Sequence, residues 1–238
     1  MKTNLVLLLF LFPMLSWSQN KSSIDFIGGL EYSNRTLNVD DFNPGPGFDV
    51  LGSGKLNFRL GFNYNHRLAG KIHLKTGLRL ASVGYRNQRL EDLRWGSEFN
   101  SNGEWEPDPT LPRELQLSVD YWFLEIPIVG RFEFNNKKFS PFIELGCSPH
   151  IYLTTRLTEK TNLATDTQFR NTAPIAQLNT FNLAASISMG FNYRFSPQWQ
   201  LFSQPIFRYH LLNTSKRDGI NEHLYNVGLE FGIRRKLG

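Results

Sequence analysis

Phe181-Asn182-Leu183-Ala184-Ala185-Ser186-Ile187-Ser188-Met189-Gly190-Phe191-Asn192-Tyr193-Arg194-Phe195 decides the fold. Its odd positions are apolar without exception, and its even positions are polar or small. Successive side chains of a β-strand point to opposite faces, so this segment reads as a strand with one oily side and one polar side. Two other segments repeat the pattern. Leu56, Phe58, Leu60, Phe62 and Tyr64 alternate with Asn57, Arg59, Gly61, Asn63 and Asn65, and Tyr225, Val227, Leu229, Phe231 and Ile233 alternate with Asn226, Gly228, Glu230, Gly232 and Arg234.

Five further segments follow the same rule less cleanly: Ile24 to Tyr32, Ile72 to Leu80, Leu117 to Phe134, Phe139 to Leu153 and Trp199 to Leu211. In the third of these the apolar positions change from odd to even, which predicts a bulge near Phe123 that inserts one residue and resets the facing. In the last, Phe202 and Ile206 fall on the polar face. Pro127, Pro141 and Pro205 donate no ladder hydrogen bond and are expected at bulges or strand ends.

Eight strands leave seven connections, and these alternate in length. The links 34–54, 87–115, 156–177 and 213–221 are long; those near 68–70, 136–137 and 196–198 are short. Short periplasmic turns opposite longer external loops are the build of an outer-membrane barrel. Turn parity agrees with the faces. Leu68-Ala69-Gly70 has the odd count that keeps Tyr64 and Leu74 on one side, with Gly70 free to turn left-handed. Phe134 is expected to pair with Phe139 across Asn136-Lys137, and Phe195 with Trp199 across 196–198. The competing architecture is a water-soluble sandwich whose oily faces share one core. The alternating loop lengths and the charged opposite faces argue against it.

The expected fold is therefore all-β, an eight-stranded antiparallel transmembrane β-barrel. Aromatics near the short turns (Tyr64, Phe132, Phe134, Phe139, Tyr193, Phe195 and Trp199) fit an interfacial girdle. The polar faces carry Arg59, Arg79, Glu125, Arg131, Glu144, Arg194, Glu230 and Arg234 among small residues. An eight-stranded barrel is just wide enough for side chains to fill, so these charges are expected to interlock as paired ions.

At the N-terminus, Lys2 precedes an apolar run from Leu5 to Leu15, and Ser16-Trp17-Ser18 supplies a small-x-small cleavage site. This is the form of a secretory signal, and the run is too short for a membrane-spanning helix of about 20 residues. The chain thus divides into a cleavable signal peptide, 1–18, and a barrel domain, 19–238, addressed to the cell outer membrane. A mean hydropathy of −0.34 excludes a multi-span helical protein but not a barrel, in which only alternate residues meet lipid. The lone Cys147, on the oily parity, excludes an intramolecular disulfide.

The net charge of +5 does not mark a nucleic-acid binder. Basic residues gather at the short connections and the C-terminal end, the 87–115 stretch is acidic, and no basic-aromatic recognition motif appears. The five histidines lack metal-ligand spacing. Ser148 and His150 share an inward face, but such a pair is commonplace, and Glu104-Trp105-Glu106-Pro107-Asp108 lacks the Asp/Asn-Gly pattern of a calcium loop. No catalytic, cofactor or metal residues are assigned.

The run Tyr121-Trp122-Phe123-Leu124-Glu125-Ile126-Pro127-Ile128 resembles the "YLEIPL" signature of PorT-like outer-membrane β-barrel proteins. Pro141 to Gly146 is similar to that family's next strand, and Asn226 to Ile233 to its closing strand. The resemblance implies an outer-membrane barrel without a catalytic set, and, since some members serve secretion or gliding machinery, a role beside such machinery. The long acidic second loop and the ending Arg234-Arg235-Lys236-Leu237-Gly238 depart from the family pattern. The expected function is a non-enzymatic scaffold or interaction protein. Its partners are outer-membrane lipid and proteins met through the loops 34–54, 87–115, 156–177 and 213–221. The alternatives are a narrow channel or small-ligand-binding barrel, and an outer-membrane hydrolase.

Overall fold

The computed structural model describes residues 22–39, 52–95, 98–163, 167–171 and 178–237. The signal segment 1–18 lies outside them, as do parts of three long connections. Ten strands follow in chain order: β1 (Ser22–Val39), β2 (Ser53–Ala69), β3 (Ile72–Arg86), β4 (Leu115–Glu125), β5 (Ile128–Glu133), β6 (Phe139–Thr161), β7 (Thr167–Asn171), β8 (Phe181–Arg194), β9 (Trp199–His210) and β10 (Ile220–Leu237). All pairings are antiparallel, and β1 pairs with both β2 and β10, which closes the sheet into a ring.

Eight staves build that ring. β4 and β5 are two halves of one stave, since both pair with β3 on one side and β6 on the other. The break between them is Ile126-Pro127, where the missing proline N–H interrupts the ladder. Among the described residues β7 is a spur that pairs with the loop end of β6 alone. The strand ends that lead into the four long connections lie at one mouth and the three short turns at the other.

The oily parity faces outward on every stave except along β4, whose apolar odd positions turn inward. Leu56, Leu60, Leu145, Met189 and Phe231 are each half-exposed or more, which in water would present an apolar patch far beyond that of a soluble monomer. This is the transmembrane surface. Near the short turns Phe139 stacks on Phe191 with centroids 4.9 Å apart, and Phe132 meets Phe134 edge-on at 5.2 Å. Lys138 and Arg235 lie over the rings of Tyr193 and Trp199 at 5.4 and 5.5 Å. Cations paired with rings at one level belong at a headgroup boundary.

Three expectations are corrected. Facing does not reset near Phe123, because Tyr121, Phe123, Glu125, Val129, Arg131 and Glu133 all point inward. The ladder does slip there, but the extra residue is Leu153 on β6: Trp122 pairs with Thr154 and Phe123 with Tyr152. The apolar odd positions of β4 line an oily section of the lumen. Phe134 opposes Pro141 rather than Phe139, as its N–H donates to the Pro141 carbonyl at 3.0 Å. Both registers keep the same face, so hydrophobicity alone does not separate them. Pro205 sits inside β9 at neither a bulge nor an end. It pairs with Leu229 on β10, while the β8–β9 ladder skips the two positions from Met189 and resumes at Phe191–Ser203 without changing register. The turn after β2 keeps Gly70 left-handed (φ 49°), with the odd residue taken up by a slip between Arg67 and Ala69.

Candidate functional site

Inward parity on six staves brings six charged side chains to one level of the lumen. Arg59 contacts Glu31 at 3.3 Å and Glu125 at 2.8 Å. Arg79 contacts Glu125 at 3.5 Å and Glu230 at 3.6 Å. Arg208 contacts Glu230 at 2.5 Å and returns to Glu31. The result is a closed cycle, Glu31–Arg59–Glu125–Arg79–Glu230–Arg208, in which each guanidinium touches two carboxylates and each carboxylate two guanidiniums. All six groups are buried and their charges cancel.

A second balanced network lies toward the short-turn mouth. Arg234 holds Asp25 at 2.7 Å and Glu133 at 3.1 Å, Arg131 holds Glu144 at 2.5 Å, and Lys75 holds Glu144 at 2.6 Å. Gln204 joins the two levels, its amide donating to Glu144 at 3.3 Å and to Glu230 at 2.7 Å. Isolated charges in such an interior cost far more than paired ones, so each network stands only as a whole. Ile27, Phe142 and Phe202 pack among these ions, and the Arg131 guanidinium lies 3.9 Å from the Phe142 centroid. Room for the two rings comes from facing glycines. A Cβ on Gly190 would stand 2.7 Å from Phe142, and the ring of Phe202 covers Gly232.

Above the cycle the lumen turns apolar. Ala81, Val83, Tyr85, Tyr121, Phe123, Leu178 and Leu224 form one buried cluster. Phe123 meets the His150 ring edge-on at 5.5 Å, and His150 and His210 lie 4.7 Å apart. Toward the loop mouth Arg35 covers the Tyr85 ring at 3.7 Å and pairs with Glu222 at 3.2 Å. Charge networks and apolar cluster thus occupy successive levels of the lumen.

Of the inward charges read from sequence, Arg59, Arg79, Glu125, Arg131, Glu144, Glu230 and Arg234 join these networks; Arg194 does not. Asp25, Glu31, Lys75, Glu133 and Arg208 complete the networks. Each follows from parity once the register is known, but Arg208 sits on the least regular strand. Ser148 and His150 both face inward, as expected. The imidazole Nδ1–H, however, donates to the Ser148 carbonyl at 2.8 Å, so this nitrogen is directed at backbone rather than at the hydroxyl. Among the described residues no group of His, Cys, Asp and Glu is arranged to hold a metal.

Outside the barrel the 87–115 connection is built around one carboxylate. Glu98 forms a two-pronged pair with Arg113, with Nη1 donating at 2.7 Å, and accepts the backbone N–H groups of Trp95 and Asp108, each at 2.8 Å. The Trp105 indole also donates to it at 3.4 Å. The Arg113 hydrogen bonds hold the Glu98 carboxyl down at about 2, and Glu98 in turn raises Arg113. Hydrogen bonds from Thr110 lower Asp108. Gly103 (φ 77°) closes a small hairpin in which Phe99 pairs with Trp105. Arg94 and Arg113 lie over the Trp105 ring at 4.8 and 5.3 Å, and both Phe99 and Trp105 remain exposed. Sequence showed an acidic solvated loop; the organising role of Glu98 rests on contacts across about fifteen residues that no local motif announces.

The sequence matches the family described as "Outer membrane protein beta-barrel domain" over residues 17–234. No curated protein matches it. Among solved structures, Neisserial surface protein A aligns at 11% identity over 91% of this chain and 97% of its own, with a TM-score of 0.43. Outer membrane protein OprG from Pseudomonas aeruginosa aligns at 10% identity over 90% and 96%, with a TM-score of 0.42. Outer membrane protease OmpT from Escherichia coli aligns at 7% identity over 93% and 98%, with a TM-score of 0.47.

Proposed function

Because the chain belongs to the outer membrane protein beta-barrel domain family, with its address in the cell outer membrane, we propose that it is a closed, non-enzymatic barrel that holds an ordered external loop out to a protein partner. The observation that carries this reading is the Glu98–Arg113 knot. It fixes an exposed Trp105 and Phe99 on a loop that has no part in closing the barrel. Exposed aromatics on an ordered support are the kind of anchor that protein interfaces use. The occupied lumen favours a support over a conduit. Residues 1–18 act in this reading as the export signal. The Tyr121–Ile128 run further suggests the PorT-like branch and service beside secretion machinery.

A photo-crosslinking residue at Trp105 in cells tests the loop. The expected result is a discrete protein adduct that disappears when Glu98→Gln and Arg113→Gln are combined, while the barrel still shows heat-modifiable gel migration. An adduct that survives loss of the knot would overturn the loop as the binding surface. Stepwise conductance of the wild-type protein in planar bilayers would overturn the closed bore.

A further inference from the structure

The short-turn mouth contains a cavity of about 110 Å³ whose lining includes Ser23, Arg67, Arg194, Gln200, Arg234 and Lys236, together with Glu133 and His73. Its charges do not balance as those of the networks above it do. Arg234 is occupied by Asp25 and Glu133. Arg67, Arg194 and Lys236 make no ion pair among the described residues, which leaves three positive charges facing one small space.

Two further observations point to a ligand. Ser23 and Gln200 are both more than nine-tenths buried and line this cavity, yet neither side chain has a hydrogen-bond partner among the described residues. The buried Arg194 Nε also has none. Buried polar groups are normally satisfied, so the Arg194 N–H calls for a partner, and the Ser23 hydroxyl and Gln200 amide, on residues that line the same cavity, complete a donor-rich cradle. The volume is well below the ~300–1,000 Å³ of a pocket for a whole organic ligand. It suits one compact anionic group, and Arg forks with a Lys point charge are the usual binders of phosphate.

We propose that this mouth binds a phosphate-class oxyanion. In outer-membrane barrels short turns face the periplasm, so the group arrives either as a free anion in that compartment or as the headgroup of an inner-leaflet phospholipid. Arg194 and Lys236 carry the charge, and Ser23 and Gln200 set the orientation. The site is independent of the loop reading above and stands or falls separately.

The test uses the full folded barrel in two arms. In detergent, inorganic phosphate is titrated calorimetrically. In nanodiscs of phosphatidylglycerol or of phosphatidylcholine, retained lipid is read by native mass spectrometry. Saturable phosphate binding identifies a free anion, and selective retention of phosphatidylglycerol identifies a headgroup; either supports the site. The double substitution Arg194→Gln, Lys236→Gln should weaken binding by about tenfold or more per cation removed. Lys138→Gln, a rim cation outside the cavity, should leave it unchanged, and heat-modifiable migration confirms folding of both variants. Absence of binding in both arms, or equal loss from Lys138→Gln and the double variant, would overturn the proposal.

Discussion

Glu125→Gln tests whether the charge cycle is a closed unit. The substitution keeps the shape of the side chain and removes one charge from a ring of alternating signs. Glu125 lies 2.8 Å from Arg59 and 3.5 Å from Arg79, and unit charges near 4 Å attract by about 4 kcal/mol at an effective dielectric of about 20, so the gross loss is on the order of 10 kcal/mol. Relief of the carboxylate's desolvation returns several kcal/mol. The net expected cost is about 3–5 kcal/mol, the usual range when one member of a buried pair is removed. Urea unfolding in vesicles, followed by gel mobility, reads this as a lower midpoint. Pairing the change with Arg59→Gln restores neutrality, so the double variant should cost less than the sum of the singles by about 0.5–3 kcal/mol. A single cost under about 1 kcal/mol, or strict additivity, would refute the cycle as a coupled unit.

Three other outcomes are expected. The carboxyl of Glu98 is depressed from 4.5 to about 2, so the order it gives the loop is complete above pH 4.5 and fades as pH falls toward 2; Trp105 fluorescence should change across that window in the wild type and not in Glu98→Gln. Gly190→Val drives a side chain into the space of Phe142 and should lower stability by about 1–3 kcal/mol in the same urea assay, with no change if that contact is slack. Mass spectrometry of the protein from outer membranes should find the mature chain beginning at Gln19, and an intact Met1 would remove the signal reading.

Parity made most of the architecture legible. A residue's face on a strand depends only on even or odd spacing, so the oily and charged sides of Phe181–Phe195 and Tyr225–Ile233 could be read without knowing any partner strand. What escaped were the features set by contacts between strands. Tyr121 and Phe123 read as lipid-facing because apolar side chains suit acyl tails and a dry lumen equally well. Only the fixed facing of Glu125 and Arg131 on the same stave shows that they point inward. Leu153 takes the bulge because a ladder slip can be accommodated on either strand, and one strand's sequence does not say which. The turn before β6 admits registers two residues apart that share a face. Arg208 and Glu31 meet across 177 residues of sequence, a pairing that follows from closure of the ring and from nothing local.

The central claim is that oily parity meets acyl chains, and the sole cysteine reports on it without any mutation. Cys147 lies on the outward face of β6, paired with Ile128 and Ala185 well inside the ladder. A bimane label on this thiol, in vesicles carrying brominated acyl chains, should be strongly quenched by the lipid and little affected by aqueous iodide. Quenching by iodide with none from the brominated chains would mean that this face meets water.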